Sequence, residues 1–159
     1  MPVPAPYGTG LTHMTVNEHA VGKQWPPVAY EVGLEKIREY AHAVGETNPV
    51  HLDREAALAT GFRDVVAPPM FCVVYSAPAM GPAVLDPDVG INLAAMVHGS
   101  QEFQWGEPVC AGDVITTQPR LSEVYERDGR AFYVFQSEST SADGKLTVRG
   151  TWTNIVRGV

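Results

Sequence analysis

The sequence predicts an α+β domain in which a curved antiparallel sheet wraps around one central apolar helix. Two observations carry this. Residues 93–156 read as four long runs rich in Val, Thr, Phe, Tyr and Trp, with Asp128-Gly129 and Asp143-Gly144 between the last three. Asp-Gly between β-like runs is a strong hairpin signal. Four such strands need a cover for their apolar face. The stretch from Met70 to Ala77 is apolar almost all round, which marks a buried helix rather than an amphipathic one.

The elements follow in order. Residues 1–27 are expected to be an extended N-terminal arm, because the part up to Asn17 is rich in Pro, Gly and Thr. A single domain spans 28–159. Val28–Val32 reads as a short strand. Leu34, Ile37, Tyr40, Ala41 and Val44 then recur at helical spacing and form one apolar stripe. Gly45 is a common helix C-terminal signal. Arg54–Thr60 reads as a second short helix ended by Gly61, and Phe62–Ala67 as a connector. Pro68-Pro69 precedes the apolar helix, where Pro is tolerated in a first turn. Asp86–Gly90 reads as a loop tip. The strands are Leu93–Trp105, Asp113–Tyr125, Arg130–Thr140 and Lys145–Val156. In the last, Leu146, Val148, Trp152 and Val156 share one face with Gly150, while Thr147, Arg149, Thr151 and Thr153 share the wet one.

Composition narrows the function. A chain of 159 residues with 45% apolar and 18% charged content fits one ordinary globular domain. The net charge of −7 argues against nucleic acid or an anionic membrane as partner, but leaves room for an anionic substrate. Cys72 and Cys110 stand in apolar surroundings outside any CxxC pair, which predicts buried thiols in a reducing compartment. Met1–Ala20 has no apolar core and no Lys or Arg, so no secretory leader is expected. The longest apolar run, residues 65–82, is broken by four prolines and is a poor membrane span. A cytoplasmic protein is expected.

Gly45-Glu46-Thr47-Asn48-Pro49-Val50-His51 is the most informative stretch. Pro49 fixes its own φ and pushes Asn48 out of the α region, so the segment is a stiff loop closing the preceding helix. Such a loop can hold a carboxylate and an imidazole at one reactive centre, as general acid–base chemistry requires. Of the other histidines, His42 lies off the apolar stripe, and His13 and His19 lie in the arm. No His, Cys or Asp cluster has zinc-like spacing. Trp25, Trp105 and Trp152 read as core or interface aromatics. Arg63, Arg149 and Arg157 are candidates for phosphate contacts.

Tyr40-Ala41, Gly45-Glu46-x-Asn48-Pro49-x-His51-x-Asp53, Thr60-Gly61-Phe62, Val66-Ala67 and Met70 together resemble the MaoC-like hydratase/dehydratase family. Gln104-Trp105-x-x-Pro108-Val109-x-Ala111-Gly112-Asp113 is similar to a later strand-turn segment of that family. The match runs from about Glu31 to the C-terminus and is nearest to the N-terminal dehydratase branch. It implies a single hot-dog domain over 28–159. The implied activity is (R)-specific hydration of a trans-2-enoyl thioester, or the reverse dehydration, on acyl-CoA or acyl-ACP without a cofactor. It also implies a homodimer, or a heterodimer with a second hot-dog subunit. Glu46 and His51 take the positions that share the catalytic water, and Asn48 the loop asparagine. Gly61, Phe62, Pro69, Met70 and Phe71 are implied at the substrate. His98, on a central strand, is a further substrate-binding candidate, although by itself it reads as a hydrogen-bonded structural histidine.

Two departures bear on the chemistry. Glu46 stands where the family usually has Asp, one methylene shorter. Ala67-Pro68-Pro69-Met70 stands where the family continues Ala/Val-His-Gly-Met and uses the glycine N–H on the thioester oxygen. Proline has no N–H, so that donor passes to Met70, another backbone group or a water. An alternative follows, a non-catalytic acyl-binding subunit of a hetero-oligomeric dehydratase. A hot-dog thioesterase would need a carboxylate on the central helix, and Met70–Met80 carries none.

Overall fold

In the computed structural model, which describes residues 16–158, five strands form one antiparallel sheet in the order β1-β3-β4-β5-β2. They are β1 (Val28–Glu31), β2 (Met96–Trp105), β3 (Val114–Arg127), β4 (Arg130–Ser141) and β5 (Leu146–Arg157). Asp128 and Gly129 form the two-residue turn between β3 and β4, both with positive φ (53° and 68°). That is the backbone a tight hairpin turn demands and the reason for Asp-Gly there.

Three helices complete the fold: α1 (Leu34–Ala43), α2 (Arg54–Ala59) and α3 (Cys72–Val84). The last is the central helix. It begins after a 3-10 turn over Pro69–Phe71 and runs seven residues past the expected Ala77, through Pro78 and Pro82. An interior proline costs a helix about 3 kcal/mol. Here both prolines sit on the exposed side, while Cys72, Tyr75, Ser76, Ala79, Met80 and Ala83 bury the opposite side. Their spacing of four sets the N–H that Pro82 lacks against the carbonyl of Pro78. Burial therefore overrides local propensity.

Two core clusters flank α3. One gathers Trp25, Met80, Leu121, Phe135 and Trp152, and the other Val32, Ile37, Val65, Phe71, Tyr75 and Val148. On α1, Ile37 and Ala41 are buried as the stripe predicts, but Val44 is exposed because the helix has already capped there.

Residues 1–15 lie outside the described residues. From residue 16 to 27 the chain is docked rather than a free arm. Glu18–Ala20 form a 3-10 turn, and Trp25 is buried with its ring 6.1 Å from that of Phe135. The Trp25 indole N–H donates to Asp86 at 2.7 Å, and Lys23 pairs with Asp86 and Asp88. A buried tryptophan and an ion-pair cluster outweigh the proline-rich composition upstream. The start of the second strand also differs, because Leu93–Ala95 form a 3-10 turn capped by Asn92.

In β5 the alternation holds except at Thr147. The β4–β5 register shifts so that Ser139 pairs with Val148 and Thr140 with Leu146, leaving Thr147 as the extra residue. Its side chain turns inward, is 3% exposed and donates to the Ser139 carbonyl at 3.0 Å. Bulges re-aim a side chain in this way.

Candidate active site

The Glu46–His51 loop is fixed at both ends. After α1, Gly45 N–H donates to the His42 carbonyl and Glu46 N–H to that of Ala41 at 2.8 Å. The loop then enters a 3-10 turn at Pro49–His51, capped by the Asn48 side chain, which accepts from Val50 N–H at 3.2 Å. Asp53 caps α2 in the same way through Ala56 N–H at 2.8 Å. These caps come from Asn and Asp at turn positions, where their short side chains reach the backbone.

His51 is 9% exposed. Its Nδ1 lies 2.8 Å from the Val66 carbonyl oxygen. A carbonyl can only accept, so Nδ1 carries the hydrogen and, in the neutral ring, Nε2 carries the lone pair. The N–H of Val66 in turn donates to the Val50 carbonyl at 3.0 Å. Val66 thus clamps the loop from two sides. It is held itself through a bridge to Cys110 and through Ala67 N–H on the Val109 carbonyl. Here Pro108-Val109-x-Ala111-Gly112-Asp113 has its structural use. Asp113 accepts from Cys110 N–H at 2.8 Å and pairs with Arg63, tightening the turn that props the connector.

Glu46 is half-buried beside the loop. Its Oε1 accepts from the N–H groups of Asn48 and Thr47, both at 2.9 Å. These bonds, the Asn48 one first, hold the carboxyl below the usual carboxylate range, with a smaller contribution from His51. Both bonds use one oxygen, so Oε2 keeps its lone pairs. Glu46 shares the loop with His51 and feels its charge, with Asn48 as the cap between them, but neither Glu46 nor Asn48 is among the residues that line the neighbouring cavity.

His51 opens onto a cavity of about 210 Å³ whose lining includes Phe62, Pro69, Cys72, Tyr75, Trp105, Thr147 and, as its one carboxylate, Glu107. Of the expected substrate residues, Phe62 and Pro69 reach it. Gly61 ends α2, donating to the Leu58 carbonyl, and turns Phe62 inward. Phe71 does not reach it. It is fully buried, edge-on to Tyr40 at 5.4 Å and tilted against Tyr75 at 6.3 Å. One residue away, the 3-10 turn rotates the chain by about 120°, so Met70 points out, 46% exposed. His98 is not at this site. It lies on β2 opposite Asn154, its ring 6.3 Å from Trp152. Seven residues of strand, roughly 20 Å, separate it from Trp105. Arg63 and Arg149 are spent on Asp113 and Glu138.

The helix start has few donors. Pro69 has no N–H, and Phe71 N–H is used on the Pro68 carbonyl at 2.8 Å. The Met70 N–H, second in the turn, has no acceptor within the helix. The Trp105 indole donates to the Pro69 carbonyl at 2.9 Å and closes the cavity's outer wall. Sequence reasoning missed Val66, Cys72, Tyr75 and Thr147. The connector's bridge to Cys110 brings Val66 there, the winding of α3 brings Cys72 and Tyr75, and the inward turn brings Thr147.

Gly106 makes the closest approach in this wall. A Cβ there would lie 2.2 Å from the Leu146 carbonyl oxygen. Gly106→Ala is therefore expected to lower stability by about 1–3 kcal/mol, read as a lower urea midpoint with an unchanged slope. Both cysteines are free and buried, and burial pushes the Cys72 thiol up to about 11. Among the described residues no group of three or more His, Cys, Asp or Glu is arranged to hold a metal ion, and no helix is long and apolar enough to cross a membrane.

Comparison with known proteins identifies the family and the fold. The model of the FAS1-like dehydratase domain region matches residues 19–149. A UPF0336 protein of Saccharopolyspora erythraea is 39% identical over 146 residues, covering 91% of this chain and 94% of its own. One from Clavibacter michiganensis is 42% identical over 146 residues, covering 91% and 98%. Among solved structures, a subunit of the HadBC (3R-hydroxyacyl-ACP dehydratase) complex of Mycobacterium tuberculosis superposes with a TM-score of 0.75 at 28% identity, covering 86% of this chain and 96% of that one. A MaoC-like dehydratase gives 0.76 at 29% identity, covering 89% of this chain and 43% of that one. The chain belongs to the FAS1-like dehydratase-region family, and its antiparallel sheet with a central helix is the hot-dog fold of the MaoC-like dehydratases.

Proposed function

We propose that the protein is an (R)-specific enoyl-thioester hydratase, or in reverse a 3-hydroxyacyl-thioester dehydratase, acting on a cytoplasmic acyl-CoA or acyl-ACP. The observation that carries this reading is His51, locked by Val66 with Nε2 free at a cavity and with the ionised Glu46 beside it. In hydration, Glu46 Oε2 orients a water by accepting one of its hydrogens. His51 Nε2 takes the other as the water oxygen bonds to C3. The negative charge passes to the thioester oxygen, for which the Met70 N–H at the helix start is the backbone donor we assign. His51 then returns the proton to C2, which leaves the ring neutral and one water added.

The test is hydration of crotonyl-CoA, followed as loss of enoyl absorbance. Activity of the purified chain supports the reading, and an inert, folded chain overturns it. Glu46→Gln keeps the shape but removes the charge. It is expected to slow hydration by about 10²-fold or more, with binding of a saturated acyl-CoA unchanged.

A second reading rests on Pro68-Pro69, which strips the helix start of all donors but the Met70 N–H. In it the chain binds the acyl group while a second hot-dog subunit does the chemistry. The HadBC neighbour is named as a complex, as is ChsH1–ChsH2 of M. tuberculosis at 20% identity. Strand β2 is a sheet edge in this chain, with Trp105 and the preceding Leu93 exposed along it. A like or unlike hot-dog subunit would pair along that edge. An inert chain that gains activity on mixing with a co-encoded hot-dog protein would establish this reading.

A further inference from the structure

The geometry points to a short, apolar acyl group as the occupant of the His51 cavity, with Tyr75 as the residue that sets its length. This rests on the acyl-thioester reading above. The cavity volume of about 210 Å³ falls below the roughly 300–1,000 Å³ of ordinary small-molecule sites. It equals on the order of seven waters at about 30 Å³ each, room for a short acyl chain rather than a long one.

On the α3 side the cavity is bounded by Tyr75. Tyr75 is 2% exposed, held in the core against Phe71 at 6.3 Å, yet its side chain forms part of the cavity lining. From Pro69 at the mouth to Tyr75 the chain advances six residues, about 9 Å along the axis at helical rise. On the opposite wall the extra residue in β5 drives Thr147 inward to meet Tyr75.

Thr147 Oγ1 is spent within the protein, giving its hydrogen to the Ser139 carbonyl at 3.0 Å. Burial holds the Tyr75 phenol well above its ordinary range, so it stays protonated. The rest of the lining is mostly aromatic rings, aliphatic groups, the Cys72 thiol and prolines, with His51 and Glu107 as its other polar members. A hydrocarbon tail suits that lining, and a longer tail meets the Tyr75 ring.

The test measures binding of butyryl-, hexanoyl-, octanoyl- and dodecanoyl-CoA by calorimetry, which needs no turnover. Affinity is expected to rise about fourfold per seated methylene up to hexanoyl and then to fall at least tenfold by dodecanoyl. Tyr75→Leu, which keeps an apolar core side chain, is expected to move the optimum to octanoyl or beyond. Tyr75→Phe is expected to keep the wild-type ranking, since the ring alone sets the limit. Wild-type affinity that climbs steadily to dodecanoyl overturns the inference whatever the variants do. So does a folded Tyr75→Leu with the wild-type optimum, or a failure to bind any of the four. A chain that ranks the acyl groups as expected but does not hydrate crotonyl-CoA overturns the catalytic reading and leaves this inference standing.

Discussion

Replacing His51 with alanine is expected to lower crotonyl-CoA hydration by about 10²–10⁴-fold, the usual share of a positioned acid–base group. The imidazole has its tautomer set by the 2.8 Å contact with the Val66 carbonyl, so Nε2 is the atom that can take the proton. Without the ring that carbonyl loses its partner inside the protein, which adds a stability cost of about 1–3 kcal/mol. The two effects separate experimentally. Steady-state rates should fall at temperatures well below the melting transition, while the melting temperature itself drops by a few degrees. His51→Ala hydrating as fast as the wild type would remove His51 from the chemistry and leave it a loop anchor.

Replacing Phe71 with alanine is expected to cost about 3–5 kcal/mol of folding stability. Phe71 has no exposure and sits at the junction of α1, the 3-10 turn and α3, edge-on to Tyr40. Its removal opens a hole beneath the turn that presents Pro69 and Met70, so the site should loosen together with the core. Urea unfolding gives the measurement. A loss below about 1 kcal/mol would place Phe71 at a solvent- or substrate-facing surface, as the family pattern alone suggested, and would contradict the packing.

The contrast between these two residues shows where the sequence stopped being readable. His51 was legible because its setting is local. Gly45, Asn48 and Pro49 determine the loop through backbone restriction and capping, which depend on neighbours a few residues away. Phe71 was misplaced because a residue's direction from a helix start depends on whether the first turn is 3-10 or α. Tertiary contacts with Tyr40 and Tyr75 decide that. His98 was misplaced for a related reason. Its strand was found, but a position along a strand says nothing about distance from another loop until the sheet order is known.

By itself the sequence determined the antiparallel sheet with a central apolar helix, the Asp128-Gly129 hairpin and the rigid Glu46–His51 loop. All three rest on short-range rules: periodicity, turn chemistry and proline geometry. Only the tertiary structure decided that α3 continues through two prolines, that Trp25 docks the segment before β1, and that Val66 locks the imidazole. It also decided that Thr147 turns inward against Tyr75 to bound the cavity. The physical reason is common to all four. Each depends on burial or on a hydrogen-bond partner from a segment brought close by folding, and those energies outweigh the local preferences that a sequence displays.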